Sequence, residues 1–241
     1  MRKLLYLAFL STGFLSSAFS QSSVAPFKDF NQYSTSAFMH GGVLMSFNNK
    51  ENTKGKRYYY DGWVKGTLIG EKGRIISNDK YLFNLDKIDG NLLVTEDKSN
   101  IIQVDKSEIR YFTLVNGSDS TSFERVDLID PKVYLRIITK KGSAPGYTLY
   151  KTIRTSFVKA NYVTDGLMES GNQYDEYVDA EQYFVVLPDG KEFRPIQSLK
   201  PKAIRAAFKG EEKRLNEYFD QHSDQPIDEF FLKGLTDYIN K

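Results

Sequence analysis

Residues 58–196 form a succession of short apolar runs separated by turn residues. The runs are rich in β-branched and aromatic residues, and they recur about every 8–12 residues, as in all-β domains. Asp89-Gly90-Asn91 and Pro188-Asp189-Gly190 are tight-turn signals between such runs. Because no helical period intervenes, the pattern predicts an antiparallel sheet, arranged as a sandwich or as a barrel-like sheet.

Residues 197–241 change to a helical period. We predict three short helices, the first capped by Ser198 and the third capped by Asp224. Helices of this length are marginal in isolation, so they must dock on the sheet or on a partner, and docking on the sheet is favoured. The third helix carries an apolar stripe of Ile227, Phe231, Leu235, Tyr238 and Ile239. The predicted fold class is therefore α+β, mostly antiparallel β with a short helical C-terminal segment.

Residues 1–20 have the features of a cleavable signal peptide. A positive start that includes Arg2 precedes an apolar run, and the small residues Ala18 and Ser20 follow it. We expect cleavage between Ser20 and Gln21. The apolar run is shorter than the ~20 residues that a membrane span needs, so no span is expected after cleavage. The predicted location is secreted or periplasmic.

Composition limits the kinds of site and partner. The chain has no cysteine, so a lipoprotein anchor, disulfides and cysteine-ligated metals are excluded. Lys and Arg number 33 and Asp and Glu 31, and two of the cations, Arg2 and Lys3, leave with the signal peptide. The mature chain is then neutral, which argues against a nucleic-acid partner because such binding needs a basic surface.

We place the domain boundaries where the composition and the hydrophobic periodicity of the sequence change. Residues 1–20 are the signal peptide, and residues 21–57 are a polar, weakly ordered N-terminal extension. Residues 58–196 are the β-rich domain, and residues 197–241 are the helical segment docked on it.

The first candidate binding segment is a cluster of aromatic residues at 58–63. Exposed aromatic rings beside an aspartate can stack on a sugar or grip a peptide. Buried, the same residues would be the first strand of the core, and this interpretation is favoured. The candidate residues are Tyr58, Tyr59, Tyr60, Asp61 and Trp63.

The second candidate segment is the acidic and aromatic stretch at 165–181. Its proposed binding residues are Asp175, Glu176 and Tyr177. Paired carboxylates would serve acid–base catalysis, and clustered oxygens would serve calcium binding. The favoured alternative is a solvated loop that leads into an edge strand kept soluble by charge.

Motifs with defined chemistry are missing from the sequence. There is no HExxH, EF-hand or glycine-rich phosphate loop. Two Ser-x-x-Lys strings, at 77–80 and 156–159, fall in β-like sequence rather than at a helix start, where such a nucleophile works. Asn116-Gly117-Ser118 matches a glycosylation acceptor, a pattern that is common by chance. We therefore predict no catalytic residue, no metal ligand and no cofactor.

Four strings carry a resemblance to a group of bacterial proteins. Residues 61–66, 80–84, 89–94 and 157–162 resemble segments of small secreted proteins of Bacteroidota, a group without a known activity. The resemblance implies a Gram-negative envelope or secreted setting, and it supplies no catalytic residues.

The leading functional hypothesis is a non-catalytic secreted or periplasmic binding or structural protein, with an envelope protein or a glycan as its partner. The first alternative is a carboxylate-dependent hydrolase of glycan or cell-wall polymer, because glycosidase carboxylates have no fixed sequence spacing. The second is an outer-membrane-associated protein, which the charges interrupting nearly every strand disfavour. Whether the protein is an enzyme stays open, with the balance against it.

Overall fold

The structure is a computed structural model that describes residues 52–140, 145–164, 166 and 168–241. The predicted signal peptide, its cleavage point between Ser20 and Gln21, and residues 21–51 of the predicted extension lie outside the described residues. Asp165 of the acidic stretch also lies outside them.

Strands are the main secondary structure of the described chain, and its helices lie only near the C-terminus. The first seven strands are β1 (Thr53–Lys54), β2 (Lys65–Gly70), β3 (Ile75–Ser77), β4 (Leu82–Asp86), β5 (Asn91–Thr95), β6 (Ile102–Gln103) and β7 (Ile109–Asn116). The remaining seven are β8 (Asp119–Glu124), β9 (Leu135–Lys140), β10 (Thr148–Val158), β11 (Val163–Thr164), β12 (Glu169–Ser170), β13 (Asp175–Val186) and β14 (Phe193–Ile196).

One large sheet organises the fold. Its strand order is β1-β13-β10-β9-β8-β7-β2-β3, and β14 pairs with the C-terminal half of β13. The pairings within it are antiparallel except for β1, which runs parallel to β13. A second, three-stranded sheet has the order β4-β5-β6, and the short pair β11-β12 lies at the turn of the long β10–β13 hairpin. The predicted α+β class with mostly antiparallel strands is confirmed.

The small sheet covers one end of a face of the large sheet. Tyr58 bridges to Asp86, and Val64 bridges to Phe83, so the chain between β1 and β2 ties the two sheets together. The core between them is apolar and is dominated by Leu68, Phe83, Leu92, Val94, Ile109, Phe112, Leu114 and Phe123.

The three helices found in the described chain cover the other end of the same face. They are α1 (Pro201–Ala207), α2 (Glu212–Gln221) and α3 (Glu229–Ile239). Their apolar faces pack on β10, β13 and β14 in a second core, which contains Leu149, Tyr183, Val185, Ile196, Ile204, Phe208, Leu215, Phe231, Leu232, Leu235 and Ile239. Among the described residues, no helix combines the length and hydrophobicity that crossing a membrane requires.

Two helix starts differ from their predicted positions. Lys200, not Ser198, is the N-cap of α1, and its side chain makes no capping hydrogen bond. Asp228, not Asp224, caps α3, where its carboxylate accepts a hydrogen bond from the backbone N–H of Phe231. Aspartate is a favourable N-cap residue, so both Asp224 and Asp228 could cap this helix. The helix begins at Asp228 because this residue is closer to Phe231, the first buried residue of α3.

Candidate functional site

A single row of side chains crosses one face of the large sheet and links its two cores. The row runs through directly opposed register positions, which share a face in an antiparallel sheet. Its members are Ile76, Leu68, Phe112, Phe123, Arg136, Lys151, Tyr183 and Ile196. Both ends are apolar and covered, one by the small sheet and the other by the helices. The two central positions, Arg136 and Lys151, carry positive charge.

The two central cations are neutralised by carboxylates from β13 and α3. Only 7% of the Lys151 side chain is exposed, and its Nζ lies 2.7 Å from Glu181 and 2.9 Å from Glu229. Glu229 also pairs with Arg136 at 3.1 Å and accepts a hydrogen bond from the Tyr183 hydroxyl at 3.3 Å. The first residue of α3 is thereby fixed to the middle of the sheet.

This arrangement holds Glu229 in its ionised form. Burial raises the pKa of Glu229, but the hydrogen bond from Lys151 and the charges of Arg136 and Lys151 outweigh burial, so the net pKa lies below the usual range. Burial lowers the pKa of Lys151, and its bonds to Glu181 and Glu229 more than reverse this. A general acid needs a raised pKa, so Glu229 suits ion pairing better than proton transfer to a substrate.

The large sheet divides next to this row. Within the described chain, the register pairs between β8 and β9 are Glu124–Leu135 and Phe123–Arg136, and beyond them the two strands separate. On its other side, β9 shifts register against β10, because Ile137 pairs with Tyr150 and Thr139 with Leu149, which leaves Ile138 as a β-bulge. A bulge bends its strand and increases the local twist, which accounts for the departure of β9 from β8.

A cleft of about 370 Å³ lies between the separated strands. Ser120, Thr121 and Ser122 of β8 form one wall, and residues 136–140 of β9 form the other. Glu229 and Lys233 of α3 line one side. The volume falls in the range of about 300–1,000 Å³ that is typical of ligand pockets. We call this space the β8–β9 cleft.

Hydroxyl groups form an ordered network on the β8 side of the cleft. The Tyr111 hydroxyl donates to Ser122 Oγ at 2.8 Å, and Thr113 Oγ1 lies 2.8 Å from Ser122 Oγ. The Tyr60 hydroxyl donates to Thr121 Oγ1 at 3.1 Å. These groups fix the orientation of the β8 side chains and offer donors and acceptors to a polar ligand.

Cations outnumber anions in the cleft lining. Arg136, Lys140 and Lys233 carry positive charge, and Glu229 carries negative charge. Lys140 pairs with Glu124 at 2.9 Å, and Lys233 pairs with Asp237 at 2.9 Å, yet both lysines are about half exposed. The Glu124 side chain is only 10% exposed, whereas both partners of the Lys233–Asp237 pair are about half exposed. Exposed ion pairs contribute little, about 0–1 kcal/mol, so an incoming anion can compete for Lys233.

The predicted aromatic segment meets the cleft wall at Thr121, which interacts with the hydroxyl groups of both Tyr60 and Tyr59. The Tyr59 ring also packs edge-on against Phe123 in the first core, with ring centroids 5.1 Å apart. Trp63 is half-buried. Asp61 lies on the surface in an ion pair with Lys56 at 2.6 Å.

The second predicted segment lies away from the cleft, at the far end of β13. Asp175 and Glu176 pair in register with β1, and the Asp175 carboxylate accepts a hydrogen bond from the Ala160 N–H at 2.8 Å. Tyr177 packs against Phe157, with ring centroids 4.9 Å apart. The structure brings this segment next to Tyr58, whose pKa burial raises, with Asp86 and Tyr177 adding to the effect against the opposing charge of Arg57.

Two other depressions lie outside the β8–β9 cleft. The larger, about 790 Å³, is lined by four aspartates and four cations, and the described contacts satisfy several of them. Arg154 pairs with Asp130 at 2.7 Å, and Arg125 binds Asp127, Glu71 and the Lys106 carbonyl. The other, about 420 Å³, is separated from the β8–β9 cleft by the Lys140–Glu124 pair, which the Tyr150 hydroxyl completes.

Comparisons with known proteins add no assignment, since the chain matched no protein family, no curated protein and no solved structure. Within the described residues, no group of three or more His, Asp and Glu side chains is placed to hold a metal ion.

Sequence reasoning missed the residues that define this site. Glu181 fell within the acidic stretch, but Arg136, Lys151 and Glu229 were not selected. The sequence contains one signal for this site. Lys151 lies on the same strand face as the apolar residues Leu149 and Ile153, so a charged residue occupies a position that faces the core.

Proposed function

We propose that this protein is a non-catalytic binding protein of the periplasm or cell exterior, and that the β8–β9 cleft holds its ligand, a protein segment or a glycan. The observation that carries the proposal is the division of the large sheet beyond Phe123–Arg136, which leaves a polar cleft between two strands that pair only at one end.

The electrostatics around the cleft support binding over hydrolysis. The carboxylate that lines it, Glu229, is ion-paired to two cations and has a lowered pKa. A hydrolase of the glycosidase type needs one carboxyl group that stays protonated near neutral pH. The ion pairs of Glu229 with Arg136 and Lys151 instead hold this part of the cleft lining in place.

The proposed location rests on the N-terminal sequence. The positive start, the apolar run and the small residues Ala18 and Ser20 are the features that support export. Their test is N-terminal sequencing of the protein recovered outside the cytoplasm, which should begin at Gln21. Retention of Met1 on the recovered protein would contradict the proposal.

The binding proposal can be tested with two defined probes. The protein recovered from expression of the full chain is titrated with soluble tetrasaccharides of cellulose, chitin and xylan, and with a pool of random-sequence decapeptides. NMR chemical shifts report the contact surface, and assays for new reducing ends and new amino groups report cleavage. We expect at least one probe to shift resonances of Ser120, Thr121 and Thr139 without being cut.

A matched pair of variants controls for indirect effects. Ser120→Trp places a large side chain in the cleft, whereas Ser77→Trp makes the same change at an exposed position on β3. Binding should be lost in the first variant and kept in the second. Shifts confined to other surfaces, or cleavage that disappears in Glu229→Gln, would overturn the proposal.

A further inference from the structure

We propose that the β8–β9 cleft takes an extended acidic peptide, which binds by pairing its backbone with the strand edges that face the cleft. This inference rests on the proposed binding function and narrows its ligand to one class. It follows from the state of the two edges, from the charge around them and from the size of the cleft.

The strand edges facing the cleft offer backbone hydrogen-bonding groups. β8 is paired with β7 along its whole length, from Tyr111–Glu124 to Asn116–Asp119, so its other edge faces the cleft. β9 is paired with β10 on its far side through Lys140. Over residues 119–122 and 137–140, the described chain supplies no register partner for the facing edges. Strand edges in this state are templates for an added strand.

The cleft also differs from an ordinary exposed edge, because it is short and walled. Two strands and α3 enclose it, so a partner must enter as a single extended segment. The two strands are separated over three or four residues, so only a short stretch of the partner can lie between them. The hydroxyl groups of a glycan can bind single backbone groups, but only a peptide strand repeats donors and acceptors at the spacing of the strand edges.

Charge selects the acidic class of peptide. Three cations and one anion line the cleft, and Lys233 is about half exposed in an i,i+4 pair with Asp237. A carboxylate on the peptide can replace Asp237 as the partner of Lys233 at little cost, since exposed i,i+4 pairs contribute little to stability. A basic peptide could not pair with Lys233 and would meet its half-exposed charge.

The test uses one octapeptide and two matched versions of it. The first peptide alternates valine and threonine and carries two glutamates, the second has proline at a central position, and the third has lysine in place of both glutamates. Isothermal titration calorimetry measures their affinity for the full protein. Proline removes a backbone donor, so we expect it to weaken binding by about tenfold or more. The lysine peptide should bind more weakly still.

Variants of the protein locate the contact. Lys233→Glu should lower the affinity for the acidic peptide by about two- to fivefold. This loss of affinity should be smaller in high salt, because the charges are then screened. Lys213→Glu makes the same charge change at an exposed position of α2 and should leave affinity unchanged. Ser120→Trp should abolish binding, and Ser77→Trp should not.

The outcomes separate this inference from the broader function. If the proline peptide binds as tightly as the first peptide, or if binding survives Ser120→Trp, the peptide does not pair its backbone with the strand edges of the cleft and the inference is overturned. Binding of a tetrasaccharide in the cleft, without the acidic octapeptide, would overturn the peptide inference and leave the binding function standing. If neither the octapeptide nor the sugar and decapeptide probes bind at the cleft, both proposals fail.

Discussion

Phe123 and Arg136 are directly opposed on β8 and β9, and beyond this pair the two strands part. Phe123 belongs to the core under the small sheet, where it stacks on Phe112 with centroids 4.9 Å apart. Arg136 reaches Glu229 at the start of α3. The last shared pair of the two strands is therefore also the boundary between the apolar core and the charged middle of the sheet.

Arg136, Lys151, Glu181 and Glu229 form a charged seam in the middle of the large sheet, and it should be more sensitive to loss of its carboxylates than to loss of Lys151. Glu181→Gln with Glu229→Gln leaves Lys151 buried without an anionic partner, which should cost about 3–5 kcal/mol of unfolding free energy. Lys151→Met should cost less, because Glu181 and Glu229 are 45% and 30% exposed and can turn to water. Urea unfolding measures both variants. A larger loss for Lys151→Met would contradict this account.

The contribution of Glu229 should depend on pH. Its folded pKa lies below the ordinary value of 4.5, so the folded chain binds fewer protons than the unfolded chain in the window below that value. Stability from this group is then present above pH 4.5 and is lost as pH falls through the folded pKa.

Thermal unfolding of the wild type and Glu229→Gln from pH 7 to pH 3 tests the sign of this effect. The wild type should be the more stable protein at pH 7, and the difference should narrow as the pH falls. A difference that stays constant, or grows toward pH 3, would show that the Lys151 and Arg136 contacts do not hold Glu229 ionised.

The packing of α3 on the sheet can be tested with two adjacent phenylalanines. Phe231 is 1% exposed and packs edge-on against Tyr218, whereas Phe230 is 77% exposed. Phe231→Ala should cost about 3–5 kcal/mol, because it leaves a cavity in the second core. Phe230→Ala should change stability by about 0.5 kcal/mol or less. Equal effects in urea unfolding would mean that α3 does not pack on the sheet in this orientation.

Two glycines with the same backbone conformation test the attachment of β1. Gly55 has φ of 72° and Gly73 has φ of 73°. A Cβ at Gly55 would overlap the carbonyl oxygen of Tyr177, whereas a Cβ at Gly73 would have no described neighbour within 4 Å.

Gly73→Ala should therefore cost only the strain of a left-handed residue, about 1–2 kcal/mol. Gly55→Ala should cost more and should loosen the pairing of β1 with Asp175 and Glu176. Limited proteolysis should then cut near residue 55 first. Equal unfolding free energies of the two variants would contradict the observed approach of Gly55 to Tyr177.

The sequence predicts most of the large sheet, but not β8, which forms one wall of the cleft. The short apolar runs within residues 58–196 include those of β2, β7, β9, β10 and β13, whose apolar and aromatic residues recur with strand spacing. β8 was missed, because Asp119, Ser120, Thr121 and Ser122 precede Phe123 without an apolar run. Its strand state comes from the hairpin with β7, whose turn contains Gly117 with φ of 62°.

The charged seam was beyond sequence reasoning for a different reason. Lys151 and Glu229 are separated by 78 residues, and they meet only because α3 docks on β10. The position of Arg136 beside Lys151 depends on the register of β9, and the bulge at Ile138 shifts that register by one residue. Neither the docking nor the bulge has a local signal in the chain.

Amide hydrogen–deuterium exchange of the ligand-free protein tests the open cleft most directly. In an antiparallel strand, alternate N–H groups point to opposite edges, so about half of those in residues 119–122 and 137–140 should face the cleft. We predict that these amides exchange quickly, while the neighbouring amides paired with β7 and β10 are protected, and that the acidic octapeptide slows the fast set. Uniform protection of both segments in the ligand-free protein would show that β8 and β9 are joined there, and would contradict a binding site between them.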